Sequence, residues 1–221
     1  NELLGTLYYV FATDQAEAWA EHAEADAFFC FSNLMQEVQD DSFARWMKGK
    51  CINAQPYCFV ADDTHARSSS GIQGRIAEMD RLLFEHDPEL HQHLDALQLE
   101  PSYYALRWIT TLLSREFNLP DTIRVWDSLF SDTNRFVSTN PTLFVMALTL
   151  LQDDFLLYVC CTMLILQRHE LLEGDFVTNL RLWQSYPPTD VQMILERSNK
   201  LRTSDSYRKS LLRGRQRSKE K

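Results

Sequence analysis

The sequence predicts an all-α fold without a β-sheet. Apolar residues recur at helical spacing in almost every periodic segment. Strand-like alternation and hairpin turns are missing, and no fixed-period repeat indicates a tandem-repeat solenoid. A chain of 221 residues, of which 45% are hydrophobic and 24% charged, is long enough to bury one large core. We therefore expect an array of about eight to ten helices.

Four apolar stripes predict the helices of the N-terminal half. Each stripe repeats every three or four residues, as on one face of a helix. The stripes are Leu3, Leu4, Leu7, Tyr8 and Phe11; Phe28, Phe31, Leu34, Met35 and Val38; Ile72, Ile76, Met79, Leu82 and Leu83; and Leu90, Leu94 and Leu97. Pro88 suits the first turn of the fourth helix, because the N–H that proline lacks has no helical partner there.

The remaining helices are predicted from further stripes and from capping residues. One helix is expected over 102–117, and Pro120 begins the next. Their predicted inner faces are Ala105, Trp108, Ile109, Leu112 and Leu113, and Ile123, Trp126 and Phe130. The stretch 155–166 is apolar nearly all round, which is typical of a central helix. Asp175 and Thr189 are the expected N-caps of the last two helices.

The distribution of charged and polar residues limits the class of partner and predicts the domain organisation. The net charge of −9 argues against a nucleic-acid binder, which needs a basic face for phosphates. The polar stretch 48–70 is predicted to be a long loop. Residues 198–221 contain nine Lys or Arg against two acidic residues, so we expect 201–221 to be a basic, disordered tail.

No motif of catalytic or metal chemistry is present in the sequence. It contains no glycine-rich phosphate loop, no G-x-S-x-G and no H-E-x-x-H. His86, His91 and His93 surround a proline-interrupted helix start, which favours an exposed polar helix over a metal site. The five cysteines include no C-x-x-C pair and indicate free thiols in a reducing compartment. We expect no metal, no cofactor and a cytoplasmic location.

Two charged residues stand beside tryptophans in neighbouring predicted helices. Arg107 directly precedes Trp108, and Asp127 directly follows Trp126. By its position Asp127 falls on the stripe that buries Trp126, where an unpaired carboxylate would cost several kcal/mol. One hypothesis is an Arg107–Asp127 ion pair, or a contact of Arg107 with a backbone carbonyl, that fixes the angle between the helices. In the alternative, Arg107 is exposed and Asp127 caps a turn. Rival partners for Asp127 are Arg124 and Arg135.

The same region resembles the C-terminal half of TBC domains, the GTPase-activating modules for Rab proteins. EPSYYALRWITTLLSREFNLPDTIRVWDSLF at 100–130 is similar to the family's R-W helix, its S-R-E-F segment and its W-D helix. EADAFFCFSNLM at 24–35 and LLEGDFVTNLRLWQSYPPTDVQMIL at 171–195 are similar to two further motifs. The resemblance spans about 1–200 and implies the C-terminal part of a multi-helix TBC array. Its inserts, one near 137–153, are most similar to the branch with the thirteenth-numbered human member.

The resemblance implies a two-finger mechanism acting on a partner GTPase. TBC domains insert an Arg, which neutralises charge on the transferred phosphoryl, and a Gln, which orients the attacking water; an Arg supplied in trans is worth about 10³–10⁵ in rate. GTP and Mg²⁺ then belong to the partner. The family's I-x-x-D-x-x-R and Y-x-Q-G-M motifs do not occur in this sequence, and they are expected upstream of Asn1. NELL matches the end of the Gln motif and makes Asn1 and Glu2 the partner-binding candidates.

The implied function is therefore part of a Rab GTPase activator in membrane traffic. The chain itself is expected to lack the catalytic fingers, to be no enzyme, and to reach endomembranes peripherally through its partner. In this interpretation Arg107, Trp108, Trp126 and Asp127 form a structural motif. The alternative is a non-catalytic Rab-binding or helical scaffold module. A helical adaptor unrelated to GTPases is supported by composition alone.

Overall fold

The computed structural model describes residues 2–48, 72–131 and 155–219. Within these ranges all regular structure is helical, which confirms the predicted fold class. Eleven helices are described: α1 (Glu2–Ala12), α2 (Glu17–Ala20), α3 (Ala23–Lys48), α4 (Ile72–His86), α5 (Pro88–Ala96), α6 (Ser102–Thr110), α7 (Leu119–Phe130), α8 (Phe155–Leu166), α9 (Arg168–Glu173), α10 (Phe176–Gln184) and α11 (Val191–Lys219). None of these helices is long and apolar enough to cross a membrane.

Two predicted segments lie outside the described residues. The loop predicted at 48–70 does so from residue 49 onward, and Lys48 is the last residue of α3. The insertion near 137–153 lies wholly outside. Contacts divide the chain into two compact units, Asn1–Ala77 and Glu78–Lys221.

In the first unit, α1 packs against α2 and α3. The apolar stripes that predicted α1 and α3 are only partly buried in the described residues. Thr6 is the buried residue of α1, and the buried residues of α3 are Ala23, Ala27 and Leu34. Phe28, by contrast, has 62% of its surface exposed. Within residues 23–35 of α3, two of the three buried residues are thus alanines, and Phe28 of the predicted stripe is exposed.

In the second unit, α8 is the central helix. Its residues from Phe155 to Leu164 are buried on every side, as the apolar sequence predicts. Helices α6, α9 and α11 pack against it. Because such a helix has no polar face, it can be stable in a folded chain only when neighbours surround it.

Buried polar contacts attach α11 to α4 and α8. Asp205 of α11 is buried, and its Oδ2 accepts a hydrogen bond from the hydroxyl of Tyr158 at 3.1 Å and lies 3.2 Å from Nε2 of His86. Residues 201–219, expected to belong to a disordered tail, continue the helix that begins at Val191. His86 is likewise buried against Asp205 instead of lying on an exposed polar helix.

Side-chain caps begin several helices of this unit. Asp87 accepts a hydrogen bond from the N–H of Leu90 at 3.1 Å and so caps α5, which Pro88 starts as predicted. Asp175 accepts from the N–H of Thr178 at 2.8 Å and caps α10, as expected. The cap predicted at Thr189 is wrong by one residue. The carboxylate of Asp190 accepts from the N–H of Gln192 at 2.9 Å, directly before α11.

Candidate functional site

Helix α6 ends at Thr110, seven residues before the predicted end at 117. The cause is a reversal at Leu112 and Leu113, whose φ angles of 49° and 62° are left-handed. Such angles cost about 1–3 kcal/mol each in residues other than glycine. Both leucines are buried, and this burial offsets the cost.

Two hydrogen bonds hold this reversal in place. The indole Nε1 of Trp126 donates to the carbonyl of Leu112 at 2.9 Å, from α7. The N–H of Leu113 donates to the carbonyl of Trp108 at 3.0 Å. The side chain of Trp126 therefore has two roles. Its ring is buried, and its nitrogen donates to a backbone oxygen that has no partner within a helix.

The reversal brings Glu116 beside Arg107. In a continuous helix, residues nine apart would be separated by about 13–14 Å along the axis. Here Nε of Arg107 lies 2.8 Å from Oε1 of Glu116, and Nη2 of Arg107 donates to Oε2 at 2.9 Å. The two side chains form an ion pair with two close N···O contacts, and the contact from Nη2 is a charge-assisted hydrogen bond.

Arg107 also connects this pair to α10. Its Nη2 donates to the backbone carbonyl of Trp183, a residue 76 positions further along the chain. The ring of Trp183 lies on Tyr104 with centroids 4.3 Å apart, and Tyr104 lies 5.4 Å from Trp108. One guanidinium thus joins α6, the segment after it and α10 within a layer of buried aromatic rings.

The carboxylate of Glu116 is almost completely buried, with 1% of its side chain exposed. Burial raises the pKa of Glu116 above the usual value, while the charge and hydrogen bonding of Arg107 act in the opposite direction. A buried carboxylate without such partners would be strongly destabilising. The guanidinium of Arg107 is therefore engaged by this carboxylate and by the carbonyl of Trp183.

The structure gives Asp127 a different place from the predicted one. Its side chain is exposed, so the proposed Arg107–Asp127 ion pair is wrong, and Glu116 is the carboxylate that Arg107 binds. The buried residues of α7 are Thr122, Val125, Trp126 and Leu129. A residue one position after Trp126 is rotated by about 100° from it, which turns Asp127 to solvent.

The remaining predicted partners are distributed as follows. A carbonyl contact of Arg107 does exist, although it reaches Trp183 of α10 and not the α6–α7 hairpin. Arg124, a rival partner for Asp127, hydrogen-bonds with Ser128 and Gln192 at 3.1 Å each. Arg135 lies outside the described residues.

The two partner-binding candidates are at the chain start. Asn1 lies outside the described residues. Glu2 is exposed in the first turn of α1, and its backbone carbonyl accepts a hydrogen bond from the hydroxyl of Thr6 at 3.0 Å. A carboxylate in the first turn is favourable because it faces the positive end of the helix dipole.

Sequence reasoning missed Glu116 and Trp183 as members of this cluster. The S-R-E-F segment contains Glu116, but a continuous helix over 102–117 would have separated it from Arg107. The contact with Trp183 is made by a backbone oxygen, which no side-chain pattern can signal.

Comparison with known proteins supplies the family context of this geometry. Residues 1–172 match the sequence model of the Rab-GTPase-TBC domain. TBC1 domain family member 13 of Mus musculus is 45% identical over 204 residues, which are 92% of this chain and 42% of that protein. The Homo sapiens protein of the same name is 44% identical over the same shares. The chain thus spans less than half the length of these relatives.

A solved structure shows the same fold. The Ypt/Rab-GAP domain of Gyp1p superposes with a TM-score of 0.61 and 20% sequence identity, over 91% of this chain and 58% of that one. At this identity the likeness concerns the arrangement of helices alone.

Proposed function

Because this chain belongs to the Rab-GTPase-TBC domain family, we propose that it is part of an activator of GTP hydrolysis by Rab-type small GTPases in membrane traffic. The observation that carries the proposal is the family match over residues 1–172. The all-helical fold, shared with a Ypt/Rab-GAP domain, supports it.

In this proposal the chain supplies the scaffold and part of the surface that meets the GTPase. Arg107 is bound to Glu116 and to the carbonyl of Trp183, so it cannot also reach into a partner's nucleotide site without breaking a buried ion pair. The catalytic Arg and Gln are proposed to come from outside residues 1–221, since neither family motif occurs in this sequence. The chain by itself then acts as no enzyme.

In this proposal GTP hydrolysis takes place on the partner GTPase, which also holds the cofactors. GTP and Mg²⁺ are proposed to bind in the Rab protein, so that this chain contributes contacts and no nucleotide site of its own. Glu2, exposed at the first turn of α1, is the proposed contact residue within the described part of the start. The proposed location is cytoplasmic, with peripheral attachment to endomembranes through the partner.

The test is a GTP-hydrolysis assay over a panel of purified Rab proteins. Residues 1–221 are compared with a longer form of the protein that contains the two finger motifs. The longer form is expected to accelerate hydrolysis by at least 10³-fold for one or more Rabs, and residues 1–221 to accelerate it by less than about tenfold. Strong acceleration by residues 1–221 alone would place the catalytic groups within this chain and refute their proposed origin.

A second candidate is a non-catalytic Rab-binding or scaffold module. It is favoured by the engagement of Arg107 and by the missing finger motifs. The same assay separates the two functions when binding is measured alongside hydrolysis. A longer form that binds a Rab protein without accelerating hydrolysis would establish the scaffold function, and Glu2→Lys is expected to weaken that binding in either case.

A further inference from the structure

The second unit contains an open pocket of about 810 Å³ that none of the foregoing uses. Its walls are the C-terminal part of α4, the helix α5, the connection that follows α5, and the beginnings of α6 and α10. The Arg107–Glu116 ion pair does not line it. The pocket is therefore separate from the buried cluster described above.

The pocket is acidic. Asp80, Asp95 and Glu100 line it, and no lysine or arginine is among its described lining residues. Asp80 lies 3.2 Å from Nε2 of His91, and Glu100 accepts a hydrogen bond from Ser102 at 3.2 Å. Within the described part of the chain, no group hydrogen-bonds or pairs with the carboxylate of Asp95. Negative charge thus accumulates at a concave surface, where a cation would be attracted.

The hydroxyl of Tyr104, a residue in the wall of the pocket, is available for a hydrogen bond. Tyr104 lines the pocket with 2% of its surface exposed, and its hydroxyl makes no hydrogen bond within residues 2–48, 72–131 and 155–219. Burial raises the pKa of Tyr104, and the charge of Asp80 raises it further, so the hydroxyl remains protonated. A donor arriving in the pocket would form a hydrogen bond with this oxygen.

The rim of the pocket is aromatic. Tyr103 is half exposed, Phe176 is more than one third exposed, and both line the pocket. Their rings meet edge to face with centroids 6.3 Å apart. Aromatic faces at the mouth of an acidic cavity suit a side chain that has an apolar stem and a cationic head.

We propose that this pocket binds an arginine side chain on an exposed segment of a partner protein. The planar guanidinium carries five donors, enough for Asp95, Glu100 and the hydroxyl of Tyr104 together. Its stem would lie along Tyr103 and Phe176. An 810 Å³ pocket exceeds one side chain, which favours a polypeptide segment with flanking residues over a free small cation. The proposal does not depend on the identity of the GTPase.

The test uses the full chain labelled with ¹⁵N and a defined probe. The probe is an acetylated and amidated hexapeptide with two arginines among alanines, and the matched peptide carries two glutamates instead. Titration with the arginine peptide is expected to shift the amide resonances of 95–104 saturably, and the glutamate peptide is expected to leave them unchanged. Shifts spread evenly over the acidic surface would overturn the proposal.

Variants of the pocket sharpen the result. The double variant Asp95→Asn, Glu100→Gln is expected to weaken peptide binding at least about tenfold, the effect of two charge-assisted hydrogen bonds. Tyr104→Phe, which keeps the ring, is expected to weaken binding about threefold or more without lowering the melting temperature. The control Glu173→Gln changes an exposed acidic residue of α9 and should leave binding as in the unaltered chain.

Two outcomes would contradict the inference. Equal affinities for the double variant and the Glu173→Gln control would assign the binding to diffuse charge. Spermidine binding in the pocket as tightly as the peptide would assign it to a small cation.

Discussion

Aromatic residues around Arg107 in the second unit are buried, whereas those of α2 and α3 in the first unit are exposed. In the second unit, Trp108 and Trp183 are buried. Arg107, which precedes Trp108, pairs with Glu116 and donates a hydrogen bond to the carbonyl of Trp183. In the first unit, Trp19, Phe28 and Phe29 have 66%, 62% and 65% of their surfaces exposed. The same residue types are therefore buried around Arg107 and exposed on α2 and α3.

This difference shows where the stability of the chain is concentrated. A large apolar side chain contributes about 1.5–3 kcal/mol only when it leaves water, so the exposed aromatics of α3 contribute little to folding. The cluster around Arg107 combines aromatic burial with the Arg107–Glu116 ion pair, and the buried carboxylate of Glu116 would destabilise the fold if it lost its cation. Paired substitutions, one in each setting, test this contrast.

The largest expected effect is that of Arg107→Ala. The substitution leaves the buried Glu116 carboxylate without its cation, and we expect a loss of about 3 kcal/mol in the free energy of unfolding, measured by urea denaturation. The pKa of Glu116 is raised in the fold, so the native state binds more protons than the unfolded state above pH 4.5. The free energy of unfolding therefore falls as the pH rises from 4.5 toward the raised pKa of Glu116. Removing Arg107 raises that pKa further and makes the loss larger at pH 8 than at pH 5.

The matched substitution is Asp127→Asn, which also removes a charge beside a tryptophan. Because Asp127 is exposed, we expect a change of less than about 0.5 kcal/mol. Similar losses for both variants would show that Asp127 takes part in a buried interaction and would restore the pairing predicted from the sequence.

A smaller effect is expected for Trp126→Phe. The phenyl ring keeps most of the apolar contact but loses the hydrogen bond from Nε1 to the carbonyl of Leu112. We expect a loss of about 2 kcal/mol, from an unsatisfied buried oxygen and a small cavity. Trp19→Phe in the first unit should change stability by less than about 0.5 kcal/mol, since Trp19 is exposed. Equal losses in thermal or urea unfolding would contradict the contrast between the units.

The smallest pair compares one substitution at two glycines. A Cβ at Gly174 would lie 2.9 Å from Cγ of Asn179 and 3.1 Å from the carbonyl oxygen of Glu170. Asn179 cannot easily move, because it is buried and donates to the carbonyl of Leu171 at 2.9 Å. We expect Gly174→Ala to cost about 1–2 kcal/mol.

At Gly5, inside α1, a Cβ meets nothing within 4 Å. Alanine is the better helix former, so Gly5→Ala should stabilise the first unit by about 0.5–1 kcal/mol. Opposite signs in the two melting curves support the structural account. A loss of stability from Gly5→Ala would mean that this position is more crowded than the structure shows.

Local sequence patterns predicted the helices and much of the core of the second unit. The predicted inner face of α6 is buried at Ala105, Trp108 and Ile109. The all-apolar α8 is central, and the Asp175 cap lies where its spacing placed it. These features depend on residues within one or two turns of each other, whose contacts follow from helical geometry.

Local sequence patterns did not predict which side chains are buried where contacts with residues distant in sequence determine burial. The apolar stripe of α3 predicted a helix correctly, yet Phe28 of this stripe is exposed, while Ala23 and Ala27 outside it are buried. Periodicity reports which residues share a face. It does not report which face a neighbouring helix covers.

The sequence alone determined that this chain forms helices, because apolar periodicity and capping act between neighbours in sequence. The Arg107–Glu116 ion pair, in contrast, depends on the tertiary structure. The left-handed turn at Leu112 and Leu113 exists because Trp126 and the surrounding core stabilise it. That turn, with a carbonyl contributed 76 residues away by Trp183, determines that Arg107 binds Glu116 and not Asp127.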